Sequence, residues 1–164
     1  LEGFRLRLPS LPVWLEVWAE IGAQPVAVPA PEIYLSMQTG QVDGHENSLS
    51  SPYTRQLREV QDYIIMTSHV MFPWSWVASA SWWDGLKAED QALIAEAINV
   101  ARQYGTERER ELDEFYLKAL KAEGMTIIEP DVEPFRKAAL PAIDRVMAKM
   151  ADGVRADVLG TTNK

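Results

Sequence analysis

Phe4-Arg5-Leu6-Arg7-Leu8-Pro9 alternates apolar and basic side chains and then stops at a proline. A period of two marks a strand with one face buried, and proline ends it because it has no N–H for the ladder. Val13, Trp14, Val17, Trp18 and Ile21 follow at helical spacing. Ser10 is expected to cap this helix, Pro12 suits its first turn, and Gly22 suits its end. Pro25-Val26-Ala27-Val28-Pro29 then reads as a short extended run.

Further along, a short helix is expected over residues 32–39, ending at Gly40, before the polar, irregular run Val42-Asp43-Gly44-His45-Glu46-Asn47. Residues 53–62 read as helical. Residues 63–70 and 74–81 are rich in β-branched or aromatic side chains and read as strands. The longest periodic segment is 87–123, where Leu93, Ile94, Ala97, Ile98 and Ala101 form a stripe continued by Leu112, Phe115, Leu117 and Leu120. At 1.5 Å per residue such a helix exceeds about 50 Å, longer than a small domain is wide, and is expected to span two lobes. A kink is expected at Gly105. Residues 125–129 read as a last strand, and Asp131 as the cap of a last helix reaching about Met150. Alternating strands and helices predict an α/β layered fold with at least some parallel pairing.

The 164 residues are 47% hydrophobic and 24% charged, enough for one ordinary core. A net charge of -8 repels phosphate backbones, which disfavours nucleic acid and anionic membrane surfaces as partners. It also means that a carboxylate ligand needs a local positive group. The chain has no cysteine, which excludes disulfides, thiolate metal sites and cysteine nucleophiles. No stretch approaches the ~18 apolar residues of a membrane-spanning helix, and residues 1–5 do not form a signal peptide.

Arg7 is the first residue with a chemical reading. It lies near the end of a strand, where ligands collect in open α/β sheets, and its planar fork matches a carboxylate. A solvated arginine or a structural ion pair is the alternative. Asp43, His45, Glu46 and His69 have neither zinc-ligand spacing nor a His-Glu-x-x-His motif. Ser48, Ser50 and Ser51 lack a nucleophile elbow, and no phosphate-binding glycine loop is present. Trp74 and Trp76 would share a face of a strand, lining either the core or a cleft.

Tyr34-Leu35-Ser36-Met37-Gln38-Thr39-Gly40-Gln41-Val42-Asp43-Gly44-His45-Glu46-Asn47 resembles the signature of the substrate-binding proteins of tripartite ATP-independent periplasmic (TRAP) transporters. Leu1 to Pro9, Gly22-Ala23-Gln24-Pro25, Glu59-Val60-Gln61 with Tyr63, Thr67 with His69, Trp83 with Leu86, Glu89-Asp90-Gln91 and the 131–135 run are similar to further family motifs, in the family's order. The resemblance implies a hinged, two-lobe α/β clamshell of the periplasmic-binding-protein kind, with a long helix bridging the lobes. This chain would supply mainly the second lobe and the C-terminal helices that pack on the first. An N-terminal segment that builds most of the first lobe would be missing, making residues 1–164 a piece of a longer protein.

The resemblance further implies an extracytoplasmic, periplasmic solute-binding subunit that captures a small organic acid and delivers it to the transporter's membrane subunits, its only contact at the membrane. It implies no catalysis, metal or cofactor. Arg7 would hold the ligand carboxylate and Asn47 would reach the ligand, with Ser10, His69 and Trp74 at the pocket. Two departures stand out: Ser48 replaces a usual proline, and Ala30 replaces a usual aromatic residue, which would reshape the pocket. A ligand-sensing module on the same fold is the alternative, followed by an acid-base enzyme using Glu46, His45 or His69.

Overall fold

The computed structural model describes residues 1–149 apart from Phe72 and Trp74. Strand β1, Arg5–Leu8, forms the centre of a three-stranded parallel sheet, between β2, Gln24–Ala27, and the two-residue β3, Gly44–His45. Leu6 and Leu8 point to one face and pack on Trp18 and Ala23, with Trp14, Leu15 and Ile21 around them. These residues belong to or flank α1, Pro12–Glu20. The periodicity that predicts the helix therefore also covers the sheet. Gly22 ends it in the left-handed region at φ +99°, and the Ala23 N–H reaches back to the Trp18 carbonyl at 3.1 Å. Leu11, not Ser10, precedes the first turn, and no side chain caps it; Pro12 already removes one of the unpaired donors that a cap would serve.

The opposite face of the sheet carries Val26, which joins Val28, Ile33, Met37, Val42 and Leu57 in a second core. This core includes α2, Ile33–Gln38, entered through a 3-10 turn over Ala30–Glu32. The loop after α2 is fastened to β1 by the Arg5 guanidinium, which donates to both Asp43 carboxylate oxygens and to the Gly40 carbonyl. Gly44 has a packing reason: a Cβ there would lie 2.7 Å from the Phe4 ring.

The 53–62 helix is instead two short pieces, α3 over Ser50–Thr54 and a 3-10 turn over Leu57–Glu59, separated by Gln56 in the left-handed region at φ 54°. The strand expected over 63–70 stops early: β4 is Tyr63–Ile65, paired in parallel with β5, Thr126–Ile128. Its partner offers only three residues, so the ladder ends there. The strand expected over 74–81 is not formed in its described part. Residues 75–79 have no ladder partner, and α4, Ala80–Asp84, follows. Aromatic content supports a strand only where a neighbouring edge accepts it.

Helix α5, Ala88–Ala122, is 35 residues long, about 50 Å, and runs through Gly105 unbroken. Among the described residues, its C-terminal end is the part that is clamped: Leu120 is fully buried with Ile64 and Met125, and Tyr116 and Tyr53 pack alongside. Further back, Leu93, Val100 and Tyr104 are 60–69% exposed. Helix α6, Glu133–Met147, starts beside Asp131, whose carboxylate accepts the Glu133 N–H at 3.1 Å. It packs on α1, where Arg145 bridges Glu16 and Glu20.

Candidate functional site

Three carboxyl ends of strands supply the candidate residues. Parallel register places Val26, Arg7 and His45 side by side across the sheet, and residues opposite one another in register share a face. Arg7 is 4% exposed. Its Nε donates to the Val28 carbonyl at 2.8 Å, which fixes the plane of the guanidinium. Among the described residues, no acceptor lies within hydrogen-bond distance of its two terminal nitrogens, and no ion pair reaches it. Burial pushes the Arg7 pKa below the usual arginine value, the Glu46 carboxylate pulls it back up, and Arg55 pushes it down again.

His45 is largely buried beside it. Burial, then the Arg7 charge, push the imidazole down to about 4, so it is neutral near pH 7. Its Nε2 is buried without a hydrogen-bond partner. Glu46, next in sequence, turns to His69: Oε2 lies 3.2 Å from His69 Nε2. The Thr67 hydroxyl meets the other ring nitrogen, Nδ1, at 2.7 Å. The Trp18 ring packs against the imidazole edge-on, centroids 5.1 Å apart. Ser68, between Thr67 and His69, sits at φ 45°, the strained turn that lets these neighbours meet.

Asn47 is exposed, and its Oδ1 accepts the Ser48 N–H at 2.9 Å. Ser10 is exposed just past β1. Neither is bonded to Arg7 or His69. Trp74 lies outside the described residues, and Trp76 is 55% exposed, so that side chain is not core. The sequence reading missed Arg55, whose charge acts on both Arg7 and His45. Its closeness to the Glu46-Asn47 motif in sequence was the only available signal. Among the described residues, no group of three or more His, Asp or Glu side chains could hold a metal, and no helix is long and apolar enough to cross a membrane.

Residues 1–150 match the family model described as bacterial extracellular solute-binding protein, family 7. The chain belongs to that family. A solute-binding protein of Roseobacter denitrificans is 33% identical over 165 aligned positions, which cover 94% of this chain and 47% of the relative. The crystal structure of that protein with bound L-galactonate, a TRAP periplasmic solute-binding protein, superimposes with a TM-score of 0.74 at 31% identity, over 98% of this chain and 52% of the other. The sialic acid-binding periplasmic protein SiaP of Vibrio cholerae is 32% identical over 85% of this chain and 44% of its own. A TRAP solute-binding protein of Pseudomonas putida with bound D-glucuronate matches with a TM-score of 0.82 at 26% identity, over 93% of this chain and 50% of the other. The chain thus spans about half the length of the relatives it matches. Family 7 proteins bind solutes and are not enzymes, which sets aside the acid-base reading of Glu46, His45 and His69.

Proposed function

We propose that this chain forms mainly the second lobe of a periplasmic TRAP solute-binding subunit. That subunit captures a small organic acid by hinge closure and hands it to the transporter's membrane subunits. The observation that carries the proposal is Arg7: a buried guanidinium, anchored through Nε, with its terminal fork open. A charge desolvated in this way gains most from a planar anion, and a ligand carboxylate offers two oxygens to two nitrogens. The L-galactonate and D-glucuronate of the relatives are both carboxylates. Asn47, with Ser10 and the Trp74 region, completes the reading of the ligand's other groups. Both ring nitrogens of His69 are engaged, one by Thr67 and the other by Glu46.

The open flank of α5 supports the existence of the other, first lobe. Leu93, Ala97, Val100, Ala101 and Tyr104 form an apolar strip along α5 that no other described element covers.

The deciding experiment is a thermal-shift screen of the full-length protein against L-galactonate, D-glucuronate, sialic acid and C4-dicarboxylates. A ligand at a hundred times its Kd adds about 2.7 kcal/mol of stability. A shift that disappears in Arg7→Ala supports carboxylate capture. A shift that survives Arg7→Ala assigns the carboxylate to another residue and overturns the reading.

A further inference from the structure

Two buried polar groups on one face of the parallel sheet lack partners, and they are neighbours. Arg7 and His45 are paired in register across β1 and β3, and adjacent strands lie about 4.8 Å apart. Register partners project from the same face, here the face that also carries Val26. Both stand at carboxyl ends: Arg7 is next to last in β1 and His45 is last in β3. Glu46, the next residue, turns the other way, to His69 and the Trp18 side of the sheet. Arg7 is anchored through Nε to the Val28 carbonyl, and its terminal nitrogens meet no acceptor among the described residues. His45 Nε2 is buried and also meets no partner there. A buried polar atom left unmet costs stability, so the pair marks a place where something else supplies the missing partners.

The two groups ask for different atoms. The guanidinium fork only donates, and it matches the two oxygens of a carboxylate. Burial, then the Arg7 charge, keep His45 uncharged near neutral pH, so its ring offers one N–H and one lone pair. A hydroxyl both donates and accepts, and therefore satisfies Nε2 in either tautomer. A carboxylate serves Nε2 in one tautomer only, and the fork already takes both of its oxygens. Because the two side chains leave adjacent strands in register, the hydroxyl must lie close to the carboxylate within the ligand, on the adjoining carbon. We propose that His45 is a ligand-binding residue that recognises a hydroxyl on the carbon next to the carboxylate, so that the site selects 2-hydroxy acids over acids that lack this hydroxyl. The proposal rests on the reading of Arg7 as the carboxylate anchor, and it narrows organic acids in general to one substitution pattern.

Titration calorimetry on the full-length protein compares 2-hydroxy acids with counterparts lacking the hydroxyl: L-galactonate with its 2-deoxy form, malate with succinate, and lactate with propionate. The wild type binds the hydroxy member of at least one pair about tenfold more tightly, because the analogue leaves the site's own polar group unmet. In His45→Leu, which fills similar space without a hydrogen-bonding atom, the two members come within about twofold of each other. His45→Gln, whose amide can reach the same hydroxyl, keeps most of the preference. Each ratio compares two acids on one protein, so a loss common to both cancels. The nitrogen NMR signal of His45 Nε2 gives a second readout: it moves on saturation with the hydroxy acid and stays in place with the analogue. A wild type without the preference, or a preference that survives His45→Leu, overturns the proposal. If acids lacking the hydroxyl bind equally well and lose binding in Arg7→Ala, the Arg7 reading stands and the His45 assignment falls. A preference that needs His45 but is indifferent to Arg7→Ala keeps the His45 contact and moves the carboxylate to another residue. If no acid of the panel binds, both readings fall.

Discussion

Arg7 and His45 sit side by side on one face of the sheet, and burial drives both toward their neutral forms, with opposite consequences. For Arg7, substitution by lysine keeps the charge but loses both the Nε bond to the Val28 carbonyl and the planar fork. Truncating one partner of a desolvated charge pair costs about 2–5 kcal/mol. On the proposed function, Arg7→Ala should therefore weaken binding of an organic acid by at least tens-fold, and titration calorimetry should show Arg7→Lys losing at least about tenfold as well. For His45, the folded pKa of about 4 lies below the ordinary 6.5. As pH falls below about 6.5, the unfolded chain takes up a proton that the folded one refuses until about 4. Stability is therefore lost across that window and regained as pH rises, by on the order of 3 kcal/mol. Urea unfolding at pH 7 and pH 4.5 should show a smaller loss for His45→Gln than for the wild type, and equal losses would remove His45 as the cause. The position of Arg7 at a strand end before a helix was legible from sequence, and its proposed ligand role comes from the family resemblance. The state of His45 was not legible, since it depends on Arg7 and on what Arg55 and Gln61 bring beside it through the fold. The left-handed turn at Ser68 was equally hidden: nothing in Thr67-Ser68-His69 marks it.

The same apolar periodicity has two fates along α5. Leu120 and Leu93 belong to one predicted stripe, yet Leu120 is fully buried against Ile64 and Met125 while Leu93 is 66% exposed. Leu120→Ala removes a side chain from a closed core and should cost about 2–5 kcal/mol, measured as a lower urea midpoint at unchanged slope. A cost under 1 kcal/mol would mean that the β4–β5 sheet is not held by this end of the helix. Helix α1 and strands β1 and β2 were legible because prolines and period agree there, and α5 was legible from its period. The elements that failed were those whose existence depends on a partner. Residues 66–70 and 75–79 have strand composition, but β5 offers three residues to pair with, and the ladder goes no further. Ser10 had the chemistry of a cap, but Pro12 and Leu11 set the start of α1 instead.

For the molecule as a whole, the open flank of α5 is the clearest statement about what this chain is built to meet. Leu93, Ala97, Val100 and Tyr104 are spaced four, three and four residues apart, a single seam on one side of the helix. The seam is uncovered by any described element, and the chain spans about half the length of its relatives. On the two-lobe reading, the other half of the protein seals it. Fully burying one such side chain contributes about 1.5–3 kcal/mol. The same substitution should therefore have two different costs. In residues 1–164 alone, Leu93→Ser and Val100→Ser should each change stability by no more than about 0.5 kcal/mol, as surface substitutions do. In the longer protein each should cost about 1.5–3 kcal/mol and lower the thermal midpoint. Equal small effects in both would mean that the seam faces solvent in the finished protein, and that the first lobe packs elsewhere on α5.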